Sequence, residues 1–328
     1  MKAAWYEKFG PASEVIRVGE FNKPAPGHGE VLVHMKTSGV NPSDTKKRHG
    51  AFPNLLDKGP VIPNSDGAGI IEAVGSGVPH ARVGQRVWVY QAQYARLHGT
   101  AAEYLAINAC RAVRLPDSVG FDVGACLGIP AMVAHRCAYA DGPVKGKIVL
   151  VTGGAGRVGY YAIQFAKLGG ATVLATASNA ASRQDCIEAG ADHVVDHRDG
   201  DWPDQILKIT AGVKVDRVVE VEFGANLQKV LDVIRTGGTI ASYSSTVVPE
   251  PAIPFKRMMF MDITVRMVIV YAMPEEAKQA AIDDITRYLE LGLLQHRVAA
   301  RYPLERFAES NDKLEQGGFL GCVVVDIE

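Results

Sequence analysis

Between Val149 and Gly159 the chain reads Val-Leu-Val-Thr-Gly-Gly-Ala-Gly-Arg-Val-Gly. Gly154, Gly156 and Gly159 make a G-x-G-x-x-G pattern. Alone that pattern is weak. Here it follows an apolar strand and opens a stretch of helical period, the context in which it binds a pyrophosphate. The first glycine permits a tight turn. The second lets backbone approach a phosphate, and the third lets the helix pack closely on the strand. The helix N-terminus then offers free N–H groups and partial positive charge to the anion. Gly153, Ala155, Arg157 and Val158 complete this candidate cradle.

The end of the next strand selects the dinucleotide. A site for NAD places Asp or Glu about 20 residues after the glycines, on the ribose 2′-hydroxyl. This chain reads Ala-Thr-Ala-Ser-Asn-Ala-Ala-Ser-Arg over 175–183, with no acid before Asp185. Hydroxyls and a guanidinium suit a 2′-phosphate. The expectation is NADPH, with Ser178, Ser182 and Arg183 around that phosphate. Glu220 and Glu222, two apart, read as paired carboxylates on one face of a strand, with a structural role equally compatible. Tyr94, Arg96 and His98 read either as lining a ligand cleft or as a solvated loop. Met258, Met259, Met261 and Met267 read as core or interface packing.

These groups need elements to hold them. The first third carries short apolar strands such as Val31–Met35, Gly69–Val74, Gln85–Tyr90 and Ala102–Ala106, punctuated by Gly and Pro. It reads as a small barrel or sandwich. After about residue 120 strands and helices alternate, and the strands are apolar throughout. That pattern predicts a parallel, doubly wound sheet covered on both faces. A long strand is expected over Ile263–Tyr271 and a helix over Pro274–Leu291. A last helix and strand, Leu304–Glu315 and Cys322–Ile327, would return to the first domain and make it discontinuous.

Composition narrows the classes. The chain has 328 residues, 47% hydrophobic and 22% charged, with formal net charge −1. That balance argues against a nucleic-acid binder. The five cysteines are scattered and none form C-x-x-C, so neither a disulfide framework nor a four-cysteine zinc site is expected. No uncharged run is long enough to span a bilayer, and no signal segment is visible. A cytoplasmic, soluble protein is expected.

Further motifs accumulate: Ser-Gly-Val-Asn-Pro-Ser-Asp at 38–44, Asp-Gly-Ala-Gly at 66–69, Gly-Ser-Gly-Val at 75–78, Val-Gly-Gln-Arg-Val at 83–87, Gly-Ile-Pro at 128–130 and Asp-His-Arg at 196–198. With the glycine turn, they make the chain resemble the zinc-independent quinone oxidoreductases, the zeta-crystallin-like branch of the medium-chain dehydrogenase/reductase superfamily. The resemblance runs through essentially the whole chain. It implies an α/β protein with a discontinuous GroES-like β-rich domain, 1–122 and 272–328, and an inserted Rossmann domain, 123–271. A substrate cleft is implied between them.

The resemblance also implies residue roles. The zinc ligands of related alcohol dehydrogenases correspond to Asn41, Ser65 and Ile129, with Asp66 in place of a nearby Glu. Amide, hydroxyl and alkyl groups do not build a zinc site, so none is expected. Asn41 is implied near the nicotinamide ribose and substrate. His197 is implied at the adenosine, and Ser242, Tyr243 and Ser244 on the nicotinamide side. Lys46, Tyr94 and Ile129 are candidates for the substrate cleft. Lys46 replaces a Tyr common near the quinone, Val133 a Thr, and Arg157 a Gly of the phosphate turn. Pairing of the 263–271 strand across a two-fold axis implies a homodimer. The implied activity is hydride transfer from NADPH to a quinone. Reduction of conjugated enones is the alternative within the same chemistry, and a non-catalytic NADPH-binding sensor or structural protein is the alternative of another class.

Overall fold

The computed structural model describes residues 1–327. The chain divides into two compact units. One holds 1–129 and the stretch from Ile282 onward, the other Pro130–Ala281.

The first unit opens with β1 (Lys2–Trp5), α1 (Ala12–Val15) and β2 (Arg17–Glu20), with β1 and β2 paired antiparallel. Then follow β3 (Glu30–Val40), α2 (Pro42–Arg48), β4 (Asp66–Val74), β5 (Arg86–Val89), β6 (Tyr104–Asn108), β7 (Ala112–Arg114) and α3 (Phe121–Gly124). The eleven-residue β3 organises this unit. Its first half pairs with β6, its second half accepts the chain's last strand, and β4 runs along its other edge. Inward-facing Val31, Val33 and Met35 meet Ile71, Val87, Leu105 and Ile107 in one apolar cluster. Burying each such side chain stabilises by about 1.5–3 kcal/mol.

The second unit contains most of α4 (Gly128–Tyr139), then β8 (Ile148–Val151), α5 (Arg157–Leu168), β9 (Thr172–Ala177), α6 (Ala180–Glu188), β10 (His193–Asp196), α7 (Trp202–Ile209), β11 (Val215–Glu220), α8 (Phe223–Val233), β12 (Ile234–Ser242), α9 (Phe255–Phe260), β13 (Thr264–Met267) and part of α10 (Glu275–Glu290). The six strands are parallel, in the order β10-β9-β8-β11-β12-β13. Strand order therefore reverses between β8 and β11, and a ligand crevice is expected at the carboxyl ends of that pair. Leu150, Leu174, Val218 and Ile240 pack with Trp202, Phe223, Leu227 and Leu231.

The chain closes with β14 (Val298–Pro303), α11 (Phe307–Gln316) and β15 (Cys322–Asp326). β15 pairs antiparallel with β3, Val323 opposite Val40, so the β-rich unit is discontinuous as the sequence suggested.

One local expectation is corrected. The strand at 263–271 covers only Thr264–Met267, because its partner β12 ends at Ser242; a 3₁₀ turn follows at Val270–Ala272. Met258 and Met261 pack on the core, while Met259 and Met267 are exposed on the surface of the single chain. Of the cysteines, Cys126, Cys137, Cys186 and Cys322 are buried thiols, but Cys110 is exposed. Among the described residues no helix is long and apolar enough to cross a membrane.

Candidate functional site

The glycine turn joins β8 to α5 at the point where strand order reverses. Gly153 has φ +59°, so the left-handed residue of the turn is Gly153 and not Gly154, the first glycine of the motif. Gly154 serves packing instead: a Cβ there would lie 2.8 Å from Ile163 Cδ1 and 2.9 Å from both Ala175 Cβ and Cys186 Sγ. Gly159 lets α5 approach the turn, since a Cβ would lie 2.5 Å from the Gly153 carbonyl oxygen. Two threonines at strand ends hold the turn. Thr176 Oγ1 accepts the Gly153 N–H at 3.0 Å, and its carbonyl accepts Gly154 N–H at 3.0 Å. Thr152 Oγ1 accepts Val221 N–H at 3.0 Å. The N-cap of α5 is Gly156, which makes no side-chain cap. The N–H groups of Val158 and Gly159 lie in the first turn, where a helix supplies no acceptor of its own. This cradle fits a pyrophosphate.

The residues expected at the 2′-phosphate sit one strand away, where β9 ends. Ser178 is half-buried and Arg183 exposed on α6. Ser182 is buried, and its N–H donates to Asn179 Oδ1 at 2.9 Å in an N-cap. Arg183 lies 3.8 Å from Asp196, at the end of β10. Arg198 holds the same carboxylate at 2.7 and 3.1 Å and keeps its pKa well below the ordinary range. Two guanidiniums thus share the Asp196 carboxylate, and Asp199 also acts on Arg198. Arg198 carries this arrangement with Arg183; the sequence reading used it only as part of a motif. His197 is exposed between Asp196 and Arg198.

The carboxyl ends of β11 and β12 complete this edge. Glu220 and Glu222 are not a dyad, because β11 stops at Glu220 and Glu222 is the N-cap of α8. Glu220 Oε1 accepts Glu222 N–H at 2.5 Å and Asn226 Nδ2 at 2.8 Å, and burial pushes its carboxyl pKa up. Glu222 accepts the N–H groups of Thr246 and Val247, both at 2.8 Å, anchoring the loop after β12. Ser242 is buried, its hydroxyl donating to the Ser244 carbonyl at 3.2 Å; Tyr243 and Ser244 are half-buried. All the expected cofactor residues of this unit therefore stand at the carboxyl-terminal end of one parallel sheet.

In the first unit, Asn41 begins α2. Its N–H donates to Asp44 Oδ2 at 2.9 Å, and its Nδ2 donates to Asp66 Oδ2 at 2.8 Å. Asp66 Oδ2 also accepts the Ile129 N–H at 2.7 Å. Asp66 is wholly buried, and burial raises its pKa well above the ordinary carboxyl value against those two donors. Lys46, the expected cleft residue, is exposed; its neighbour Lys47 is buried. Lys47 Nζ donates to the Gln93 carbonyl at 2.5 Å and to Ser65 Oγ at 3.3 Å. Burial lowers its pKa, opposed by Asp44 and Asp66. Tyr94 follows Gln93 and is half-buried, as is Ile129. Arg96 donates to the Ala106 carbonyl, and burial lowers the His98 pKa.

Two family models match the chain: an alcohol dehydrogenase GroES-like domain over 27–117 and a zinc-binding dehydrogenase over 158–287. Human quinone oxidoreductase is 30% identical over 97% of this chain and 94% of its own length. The solved structure of a mycobacterial quinone oxidoreductase matches with TM-score 0.88 at 28% identity, covering both chains fully. That of the Escherichia coli quinone oxidoreductase complexed with NADPH matches with TM-score 0.87 at 25% identity, also over both full chains. The zinc in the second model's description meets a poor donor set here. Asn41, Ser65 and Ile129 offer no thiolate or imidazole, and Ser65 Oγ is hydrogen-bonded by the Lys47 ammonium. With the GroES-like and Rossmann units both present and the likeness running end to end, the chain belongs to the quinone oxidoreductase family of the medium-chain dehydrogenase/reductase superfamily.

Proposed function

We propose that this chain is a zinc-independent, NADPH-dependent quinone oxidoreductase. The observation that carries the reading is the uncapped glycine turn at the β8/β11 switch point, with the Arg183 and Arg198 guanidiniums on Asp196 beyond β9, at the end of β10. When bound, the dinucleotide supplies a hydride from nicotinamide C4 and, with one proton, takes a quinone to its hydroquinone. Residues 153–159 hold the pyrophosphate on backbone N–H groups. Ser178, Ser182, Arg183 and Arg198 serve the 2′-phosphate, and His197 the adenosine. Asn41 and the Ser242, Tyr243 and Ser244 segment serve the nicotinamide end, with Lys46, Tyr94 and Ile129 toward the acceptor. The protein contributes positioning and exclusion of water, since a quinone is already electrophilic.

The four buried thiols suit a reducing cytoplasm. A homodimer is proposed along β13, an edge strand beside exposed Phe260, Met267 and Ile269. Sedimentation showing a monomer at every concentration would end that part of the reading.

The activity test is oxidation of NADPH, with NADH as control, against 1,4-benzoquinone and 2-cyclohexenone. Fast quinone-dependent loss of NADPH is expected. A preference for the enone would move the function to alkene reduction. A preference for NADH would overturn the roles given to Arg183 and Arg198. Tight NADPH binding without turnover of any acceptor would make the chain a sensor or structural protein.

A further inference from the structure

The first unit contains a buried polar network that the proposed activity leaves unexplained. Asn41, Asp44, Lys47, Ser65, Asp66 and Gln93 each expose 4% or less of their surface. They form one chain of contacts. Lys47 Nζ links the Gln93 carbonyl to Ser65 Oγ, Ser65 Oγ donates to Asp44 Oδ1 at 3.4 Å, Asp44 accepts the Asn41 N–H, and the Asn41 amide donates to Asp66. One ammonium stands among two carboxyl groups. Asp66 Oδ1 is fully buried and meets no hydrogen-bond donor. A buried carboxyl with an unused oxygen is costly unless positive charge lies close by.

The side chains of this network offer an amide, a hydroxyl and two carboxyls, an oxygen set suited to a hard divalent cation rather than to thiolate-bound zinc. Lys47, on the same helix that Asn41 begins, places an ammonium in the network.

We propose that the Lys47 ammonium is a built-in substitute for a divalent cation: it balances the Asp44 and Asp66 carboxyl groups, ties the 91–99 segment to α2 through Gln93, and so positions Asn41. Lys47 is a positioning residue here. The part that concerns turnover rests on the reading that Asn41 serves the nicotinamide end.

Removing the ammonium should uncover the oxygen site. Purified wild-type protein and Lys47→Ala are titrated with MnCl2, and separately with ZnCl2, with bound metal measured after dialysis. Wild type is expected to retain none. Lys47→Ala is expected to retain one ion per chain, lost again in Lys47→Ala/Asp66→Asn. A folded Lys47→Ala that retains neither metal overturns the proposal, as does wild type that retains one ion per chain. If Lys47→Ala is unfolded without metal, Mn2+ is expected to fold it; failure to fold in either condition overturns the proposal equally.

Turnover gives the second readout. Lys47→Met is expected to lose about tenfold in kcat with KM for NADPH within about twofold, and Lys47→Met/Asp44→Asn to recover most of that loss by restoring charge balance. An unchanged kcat in folded Lys47→Met, or a double variant no better than the single one, overturns the positioning role. If wild type oxidises NADPH with no acceptor, the functional reading fails instead, and the metal titration still decides what Lys47 does.

Discussion

The turn at 153–159 leaves backbone donors uncapped and open to an anion, whereas the network around Lys47 pairs nearly all its polar atoms inside the protein. The first leaves donors available by what is missing: side chains at Gly154 and Gly159, and a cap at Gly156. The second holds charge by burying side chains that oppose one another. Backbone recognition depends on local spacing, while side-chain balance depends on tertiary placement. The two regions should therefore fail differently when disturbed.

The largest effect is expected at the turn. Gly154→Val puts a branched side chain where Cβ alone already meets three side chains closer than 3.0 Å. Overpacking of this kind costs about 1–3 kcal/mol, and NADPH affinity should fall about a hundredfold or more as the turn is displaced. Fluorescence titration checks it; binding within a few-fold of wild type would break the contrast. Asp66→Ala comes next. It strands the Asn41 amide and the Ile129 N–H without their acceptor, which should lower unfolding free energy by about 2–3 kcal/mol in a urea titration. A stability equal to wild type would mean that the network carries no strain-free hydrogen bonds worth keeping.

A smaller effect is expected from Arg198→Ala. It should cut the preference for NADPH over NADH about tenfold while NADH kinetics stay level, because only the 2′-phosphate needs the second cation. A uniform loss with both cofactors would assign Arg198 to holding Asp196 alone. The smallest is a pH effect. Burial drops the pKa of His296, in the first unit, to about 4, against an ordinary 6.5. The unfolded chain then binds the proton first, so stability should fall as pH drops from about 6.5 to 4. His296→Gln should flatten that slope in stability curves measured across the window; an unchanged slope would place the acid sensitivity elsewhere.

These regions were unequally legible in the sequence. The glycine turn could be read because each requirement is local: a strand, a left-handed residue, then a helix start. Even so, the residue with positive φ was misplaced by one, since Gly153 and Gly154 are both glycine and only the packing around Gly154 separates their roles. The network has no signature in the sequence: Lys46 and Lys47 are adjacent and alike, and only the fold makes Lys47 the buried one. The seven-residue α2 buries Asp44, Thr45, Lys47 and Arg48, a set with no apolar stripe to announce which face turns inward. Arg198 was quoted only as part of a motif, because its role appears when β9 and β10 lie side by side. The strand at 263–271 looked long because its residues are β-branched and apolar, yet its length is set by where β12 stops.

Gly128 has a consequence for how this sequence can change. A Cβ there would lie 2.1 Å from Asp66 Oδ1, so the carboxyl and the bare Cα occupy one another's space. Position 128 cannot gain a side chain while Asp66 keeps this place, although residue 66 can shorten beside Gly128. In a library randomised at 66 and 128 together, any side chain at 128 should survive only in clones that have shortened residue 66, while Asp66 should be found only beside glycine. The constraint runs one way, from residue 66 to residue 128, across more than sixty residues of chain.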